Sequence, residues 1–260
     1  MRLFDTHAHY YDEHFAPDRD EVLSSLPSHG VERVVCPGCD LESSRQSMAL
    51  AEKYPFLYFA AGLHPENLVG ATLADLDKVK ALCAHPKCVA VGEIGLDYYW
   101  VKTPEDRANS RDFFDAQLSL AEELDLPAIV HDRDAHRDAL DIVRAHPKAR
   151  GVFHCCALSA EDAKEAVKLG WYVSFTGNVT FQKARRALEV MAAVPAERIM
   201  IETDAPYMTP EPFRGRRNDS NYVYRVTETL AQVKGLSTEE AAELTFLNGL
   251  RFFGLEDPAL

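Results

Sequence analysis

Short apolar runs alternate along this chain with longer segments whose apolar residues recur every three or four positions. Eight runs read as strands: Arg2–His7, Glu32–Pro37, Phe56–His64, Cys88–Gly95, Pro127–Asp132, Gly151–Cys156, Trp171–Gly177 and Arg198–Asp204. Most are continuously apolar in the middle, as strands buried on both faces are. The segments between them carry helix punctuation. "PDRDEVLSSLPSHG" opens with Pro17 and acidic residues and ends at Gly30. Thr103–Asp125 starts with an N-cap threonine and a proline, and Ser159–Gly170 starts with a serine cap and closes on glycine. The segment Asn221–Phe253 holds at least two helices. Eight strand-helix alternations predict parallel strands joined by crossover helices. Within 260 residues they predict one (β/α)8 barrel spanning positions 1–260, with its active site at the C-terminal strand ends. An open doubly wound sheet is the competing architecture. No linker or low-complexity tract divides the chain.

Composition narrows the function classes. The chain is 47% hydrophobic, but no run approaches the ~20 apolar residues of a membrane span. "MRLFDTHAHYYDEHF" lacks the apolar stretch of a secretory signal, so a cytoplasmic location and no membrane contact are expected. Six cysteines are spread too thinly for a disulfide scaffold. "CPGC" at Cys36–Cys39 has redox or zinc spacing, yet it also reads as a strand end followed by a Pro-Gly turn, and no second such pair completes a zinc cage. The net charge of −13 argues against a sequence-independent grip on long nucleic acid. A short phosphate-bearing substrate would need local cations.

The ionisable residues change the picture most. His7 and His9 end the first strand, His64 the third, Glu93 the fourth, His131 the fifth, His154 the sixth and Asp204 the eighth. In a barrel these ends share one mouth. His7 and His9, two positions apart, share a strand face and can grip one ion together. His7, His9, Glu93, His131, His154 and Asp204 are too many ligands for one tetrahedral ion with an open position. They suit two ions ~3.5–4 Å apart, with Glu93 bridging through its two oxygens. Zn²⁺ fits this imidazole-rich set best, with Mn²⁺ and Mg²⁺ as alternatives. The competing reading is a rim of hydrogen-bonded polar residues, which would have to find partners for every buried imidazole and carboxylate. His14, His29, His85, His136 and His146 fall on helices or loops and receive no function.

The segments "DTHAHYY", "GLHPE", "VGEIGLDYY", "PAIVHDRDA", "FHC", "ETDAPYM", "FRGRRN" and "LNGLRFFGL", in this order, resemble the TatD family of metal-dependent nucleases within the amidohydrolase-like barrels. The resemblance covers essentially the whole chain. It implies that His7, His9 and Asp204 hold one metal, that His131 and His154 hold the other, and that Glu93 bridges them. It places His64 in the substrate pocket. Two stretches depart from the family pattern: "CCALSAED" after His154, and "DSNYV" after "RGRRN". Both bear on substrate preference more than on metal binding.

The expected reaction is hydrolysis of a phosphodiester at a single-stranded 3′ end of DNA, through a hydroxide generated at the dinuclear centre. Asp204 acts as general base, Glu93 holds the centre together, and His64 contacts the phosphate or helps the leaving group. Arg133, Arg214, Arg216 and Arg217 are candidate phosphate contacts. The alternatives are an ion pair of Arg133 with Asp132 or Asp134, and a solvated loop for the other three. Tyr98, Tyr99 and Trp100 follow the fourth strand and either stack a terminal base or form a packed loop cluster. The same mouth would also suit a deacylase or amidohydrolase acting on aminoacyl-tRNA or a small ester or amide. A non-enzymatic binding barrel would show a broken ligand set, and this set is complete. A monomer without a stable protein partner is expected.

Overall fold

A computed structural model describes residues 1–257. Eight parallel strands, β1 Leu3–Asp5, β2 Val31–Pro37, β3 Leu57–Ala61, β4 Cys88–Asp97, β5 Ala128–Arg133, β6 Gly151–Phe153, β7 Tyr172–Phe175 and β8 Ile199–Ile201, lie in sequence order. The helices are α1 Arg19–Ser25, α2 Leu41–Lys53, α3 Leu76–Cys83, α4 Pro104–Leu124, α5 His136–Ala145, α6 Ala160–Lys168, α7 Arg185–Ala193, α8 Val223–Lys234 and α9 Thr238–Phe253. The ring is nearly closed. Its last seam runs through residues just beyond β1 and β8: Thr6 N donates to Ile201 O at 3.2 Å, Asp204 N to His7 O at 2.8 Å, and His9 N to Ala205 O at 2.7 Å. The architecture is therefore the predicted barrel, not the open sheet.

The expected helix signals work locally. Thr103 caps α4 by accepting from Asp106 N, Ser159 caps α6 by accepting from Asp162 N, and Ser237 closes a capping box with Glu240 on α9. Side chains on one face of the strands pack outward against the helices. Those on the other face fill the barrel. Phe4, Val35, Ala60, Ala90, Ile129, Val152, Tyr172 and Met200, one from each strand, meet Phe246, Leu250, Phe252 and Phe253 of α9. Asn248 of α9 donates to Ala196 O and Ile199 O at the start of β8, so α9 plugs the N-terminal end.

Several strands are shorter than their apolar runs suggest. Strand β3 ends at Ala61, three residues before His64; β6 ends at Phe153; β8 ends at Ile201. Beyond those points the backbone leaves its ladder, and side chains satisfy it. Asp5, fully buried, accepts from Thr203 N, Thr203 Oγ1 and Ser220 Oγ, which ties the chain after β1 to the chain after β8. The opposite correction applies to Glu93, which sits inside β4 rather than at its end. Pairing with β5 resumes after a register shift and continues to Asp97 opposite Arg133. Gly95 permits this: its φ is +131°, and a Cβ there would lie 2.1 Å from His131 O.

Candidate metal centre

His7, His9, His64, Glu93, His131, His154 and Asp204 converge on one mouth. Glu93 is at its centre and is nearly inaccessible. Its Oε2 lies 3.2 Å from His7 Nε2 and 3.6 Å from His9 Nε2. Its Oε1 lies 2.8 Å from His154 Nε2, 3.1 Å from His131 Nδ1 and 3.4 Å from His64 Nε2. Asp204 Oδ1 approaches the first pair, 3.4 Å from His9 Nε2 and 3.8 Å from His7 Nε2. Asp204 has φ of +55°, a left-handed conformation that aspartate tolerates better than most residues.

The ring nitrogens define what such a site can bind. His7 Nε2 and His9 Nε2 are 3.1 Å apart, and His131 Nδ1 and His154 Nε2 are 3.2 Å apart. The far nitrogens of His9 and His131 face acceptors. His9 Nδ1 lies 3.2 Å from Pro37 O, and His131 Nε2 lies 2.9 Å from Asp97 Oδ2. His154 Nδ1 faces Glu202 Oε1 at 3.4 Å, out of hydrogen-bonding alignment, and His7 Nδ1 has no hydrogen-bond partner. A proton on the far nitrogen turns the near nitrogen's lone pair inward, toward another lone pair and a carboxylate. A cation at the point of convergence satisfies all of them, so the donor set fits a metal. Two clusters of close ligand atoms, His7–His9–Asp204 and Glu93–His131–His154, can each hold an ion.

Charge without a cation follows the same geometry. Burial works against ionising Glu93, but His154, His64 and His7 outweigh it and hold the carboxyl well below its usual range. Burial also opposes ionisation of Asp204, and the hydrogen bond with His9 and the charges of His7 and His154 keep it low. Burial lowers His7 and His64. For His131 burial is outweighed by the hydrogen bonds to Asp97 and Glu93, which push it up to about 9.

His64 caps the short turn Pro65–Asn67: its Nδ1 accepts from Glu66 N, so its Nε2 proton points at Glu93. Arg133 and Arg214 lie over the rings of Tyr99 and Phe181, at 3.9 Å and 4.2 Å. Arg216 lies 5.9 Å from the Phe213 ring. Arg217 differs from the other three expected phosphate contacts in having an ion-pair partner. Both its terminal nitrogens bind Asp18, at 2.6 and 2.8 Å, so a phosphate would have to displace that carboxylate. The five histidines left without function are held elsewhere, for example His146 by Asp115 and His136 by Asp132. "CPGC" is not a disulfide, because all six cysteines are free. Yet Cys39 reaches the rim, 3.1 Å from the Tyr11 hydroxyl and 3.8 Å from Glu93 Oε2.

Sequence reasoning missed Asp97 and Glu202, the carboxylates behind His131 and His154. "GLD" and "IETD" contain them, but nothing in those motifs alone says which imidazole either acid faces. A groove of about 700 Å³ opens next to the mouth between the chain after β1 and α2; its lining includes Asp12, Glu13, Asp40 and Glu42, and none of the histidine cluster.

A profile of the family described as "TatD related DNase" matches residues 4–254. The chain is 42% identical over 253 residues to the "Uncharacterized metal-dependent hydrolase YabD" of Bacillus subtilis, covering 96% of this chain and 98% of that one. It is 33% identical over 262 residues to the "3'-5' ssDNA/RNA exonuclease TatD" of Escherichia fergusonii, covering 97% and 99%. Among solved structures, YJJV, a TatD homolog from Escherichia coli K12, superposes with a TM-score of 0.90 at 30% identity, covering 98% and 99%. Each of these relatives matches this chain over nearly its whole length, and the chain belongs to the TatD family of metal-dependent hydrolases.

Proposed function

We propose that this protein hydrolyses phosphodiester bonds of single-stranded DNA, working from a 3′ end with two divalent cations. The carrying observation is the division of Glu93. One of its oxygens faces His7 and His9, and the other faces His131 and His154. In this reading His7, His9 and Asp204 hold one ion, His131 and His154 hold the second, and Glu93 bridges. Zn²⁺ suits the imidazoles best, with Mn²⁺ and Mg²⁺ as alternatives. Bound ions supply Lewis acidity, which lowers the pKa of a water and polarises a phosphate oxygen.

The chain's own residues supply the rest. Asp204, kept ionised, is placed to orient the attacking water and take its proton. His64, holding its proton on Nε2, is a donor toward the phosphate or the leaving oxygen. Asp97 fixes the His131 ring. Substrate class rests on the cations. Among the described residues, Lys102, Arg133, Lys183, Arg186, Arg214 and Arg216 make no ion pair; Arg133 ends β5, and the others occupy the loops after β4, β7 and β8 and the start of α7. In a chain of net charge −13 that arc is an anion-binding feature. The groove beside α2 carries four carboxylates, Asp12, Glu13, Asp40 and Glu42, against Arg19 and Lys53, so it attracts phosphates less than the arc does. The name of the Escherichia fergusonii relative points the same way.

The test is incubation of purified protein and each metal with end-labelled single-stranded DNA, RNA and acyl esters. Shortening of DNA from the 3′ end, lost in Glu93→Ala, supports the proposal. Ester or amide turnover with intact DNA, lost in the same variant, would replace it with the deacylase reading.

A further inference from the structure

Of the three aromatics after β4, Tyr98 has a structural place. Its hydroxyl donates to Asp138 Oδ2 at 2.5 Å and accepts from Arg111 at 2.9 Å, and Arg107 lies 4.3 Å from its ring. Tyr99 carries two cations, Arg133 at 3.9 Å and Lys102 at 4.8 Å from its ring centre. Trp100 stands edge-on to Tyr99 at 4.8 Å and 87°, and is 58% exposed, the largest aromatic surface the protein leaves uncovered. An indole at that exposure loses hydrophobic burial, and nothing in the barrel's packing requires it.

Its backbone is nevertheless fixed. Trp100 N donates to Asp97 Oδ1 at 2.7 Å, while Asp97 Oδ2 faces His131 Nε2 at 2.9 Å. Tyr98 N donates to Arg133 O at 2.8 Å. One carboxylate thus sets both a candidate metal ligand and the exposed indole. Beside the indole, Arg133 and Lys102 make no ion pair among the described residues, although the Arg133 charge acts on the nearby carboxylates of Asp97 and Glu66. A flat apolar face next to two cations outside any ion pair is complementary to a nucleotide, whose base stacks and whose phosphate takes the charge. A peptide would offer no matching repeat of ring and anion.

We infer that Trp100 is a stacking platform for an unpaired base next to the scissile phosphate, with Arg133 and Lys102 holding the adjacent phosphate. This rests on the nuclease reading and names what it grips: a single strand with an accessible base, rather than a duplex end or an isolated phosphodiester. Trp100 positions substrate and touches no reacting atom.

The chain has two tryptophans, and Trp171 is buried at 1% exposure, so contact with a base is read directly. Stopped-flow mixing of the metal-loaded protein with an eight-residue oligothymidylate should quench tryptophan fluorescence in the binding phase, before product forms. Trp100→Phe should lose that signal while keeping KM near wild type. Trp100→Ala should raise KM about 5- to 100-fold, with the effect in KM rather than kcat. Oligomers with an abasic site at either of the two 3′-terminal positions supply the pairing test. At one of them the KM penalty should not add to that of Trp100→Ala. Cleavage with unquenched fluorescence, or a KM indifferent to Trp100→Ala, would overturn the platform and leave the nuclease reading standing. No binding or cleavage of any oligonucleotide would overturn both.

Discussion

At its N-terminal end the barrel is closed by hydrocarbon, with eight strand residues against Phe246, Leu250, Phe252 and Phe253 of α9. At its C-terminal end the same strands lead into imidazoles and carboxylates whose inward nitrogens and oxygens face one another across about 3 Å. The two ends treat burial differently. One removes polar atoms from the interior, so its cost is met within the chain by contact and dehydration. The other gathers polar atoms whose satisfaction requires a guest. Stability should therefore concentrate at the plug and reactivity at the mouth, each changeable without the other.

The sharpest break is at the mouth. Glu93→Ala removes the group that faces both imidazole pairs, and metal-stimulated hydrolysis should fall roughly 10³-fold or more in a steady-state assay. The counterpart at the plug is Phe246→Ala. It should lower unfolding free energy by about 3–5 kcal/mol in urea denaturation, while the rate per folded molecule stays within about twofold. If Phe246→Ala instead abolished the rate of folded protein, the two ends would not be separable. Asp97→Asn is milder: losing the charge and one of the two acceptor oxygens that serve His131 and Trp100 N should weaken metal affinity about 10- to 100-fold by calorimetry.

Metal uptake should also depend on pH. With His131 pushed up to about 9, a proton competes for its inward nitrogen at neutral pH. Affinity should rise from pH 6.5 toward 9, with proton release visible as a buffer-dependent heat. The smallest effect lies outside the ligand cluster. His136 is raised first by its hydrogen bond to Asp132. A histidine raised in the folded state stabilises fully below its unfolded value, near 6.5, and loses that contribution as pH rises through the folded value. Wild type should lose up to about 1 kcal/mol relative to His136→Gln across that window, read from denaturation at each pH. An equal pH slope in both proteins would deny the pair any role.

Much of this was legible because a barrel converts strand endings into a common place. His131 and His154 needed only their apolar strands, and His64 its "GLHP", to be located at the mouth. Glu93 was legible as a ligand but not as an interior strand residue, because a glycine-permitted strand continues through polar sequence to Asp97. The pairing of Arg217 was not legible because its partner, Asp18, lies 199 positions away in sequence and nothing local announces the pair. Asp97 and Glu202 were hidden for a similar reason. Which ring an acid supports depends on the register between strands, and sequence leaves that open.

The seam between the first and last strands has one more consequence. Thr6 and Ile201 meet across 195 residues of chain, and within three residues of them stand His7, His9 and Asp204. A cation held by those three would be a fastener across the joint between the first and last strands, a reversible cross-link closing a very long loop. Such links reduce the freedom of the opened chain most when the loop is long. Stripping the ion would then loosen the hoop at one seam, and hydrogen exchange would detect the opening first along β1 and β8, with the plug still in place.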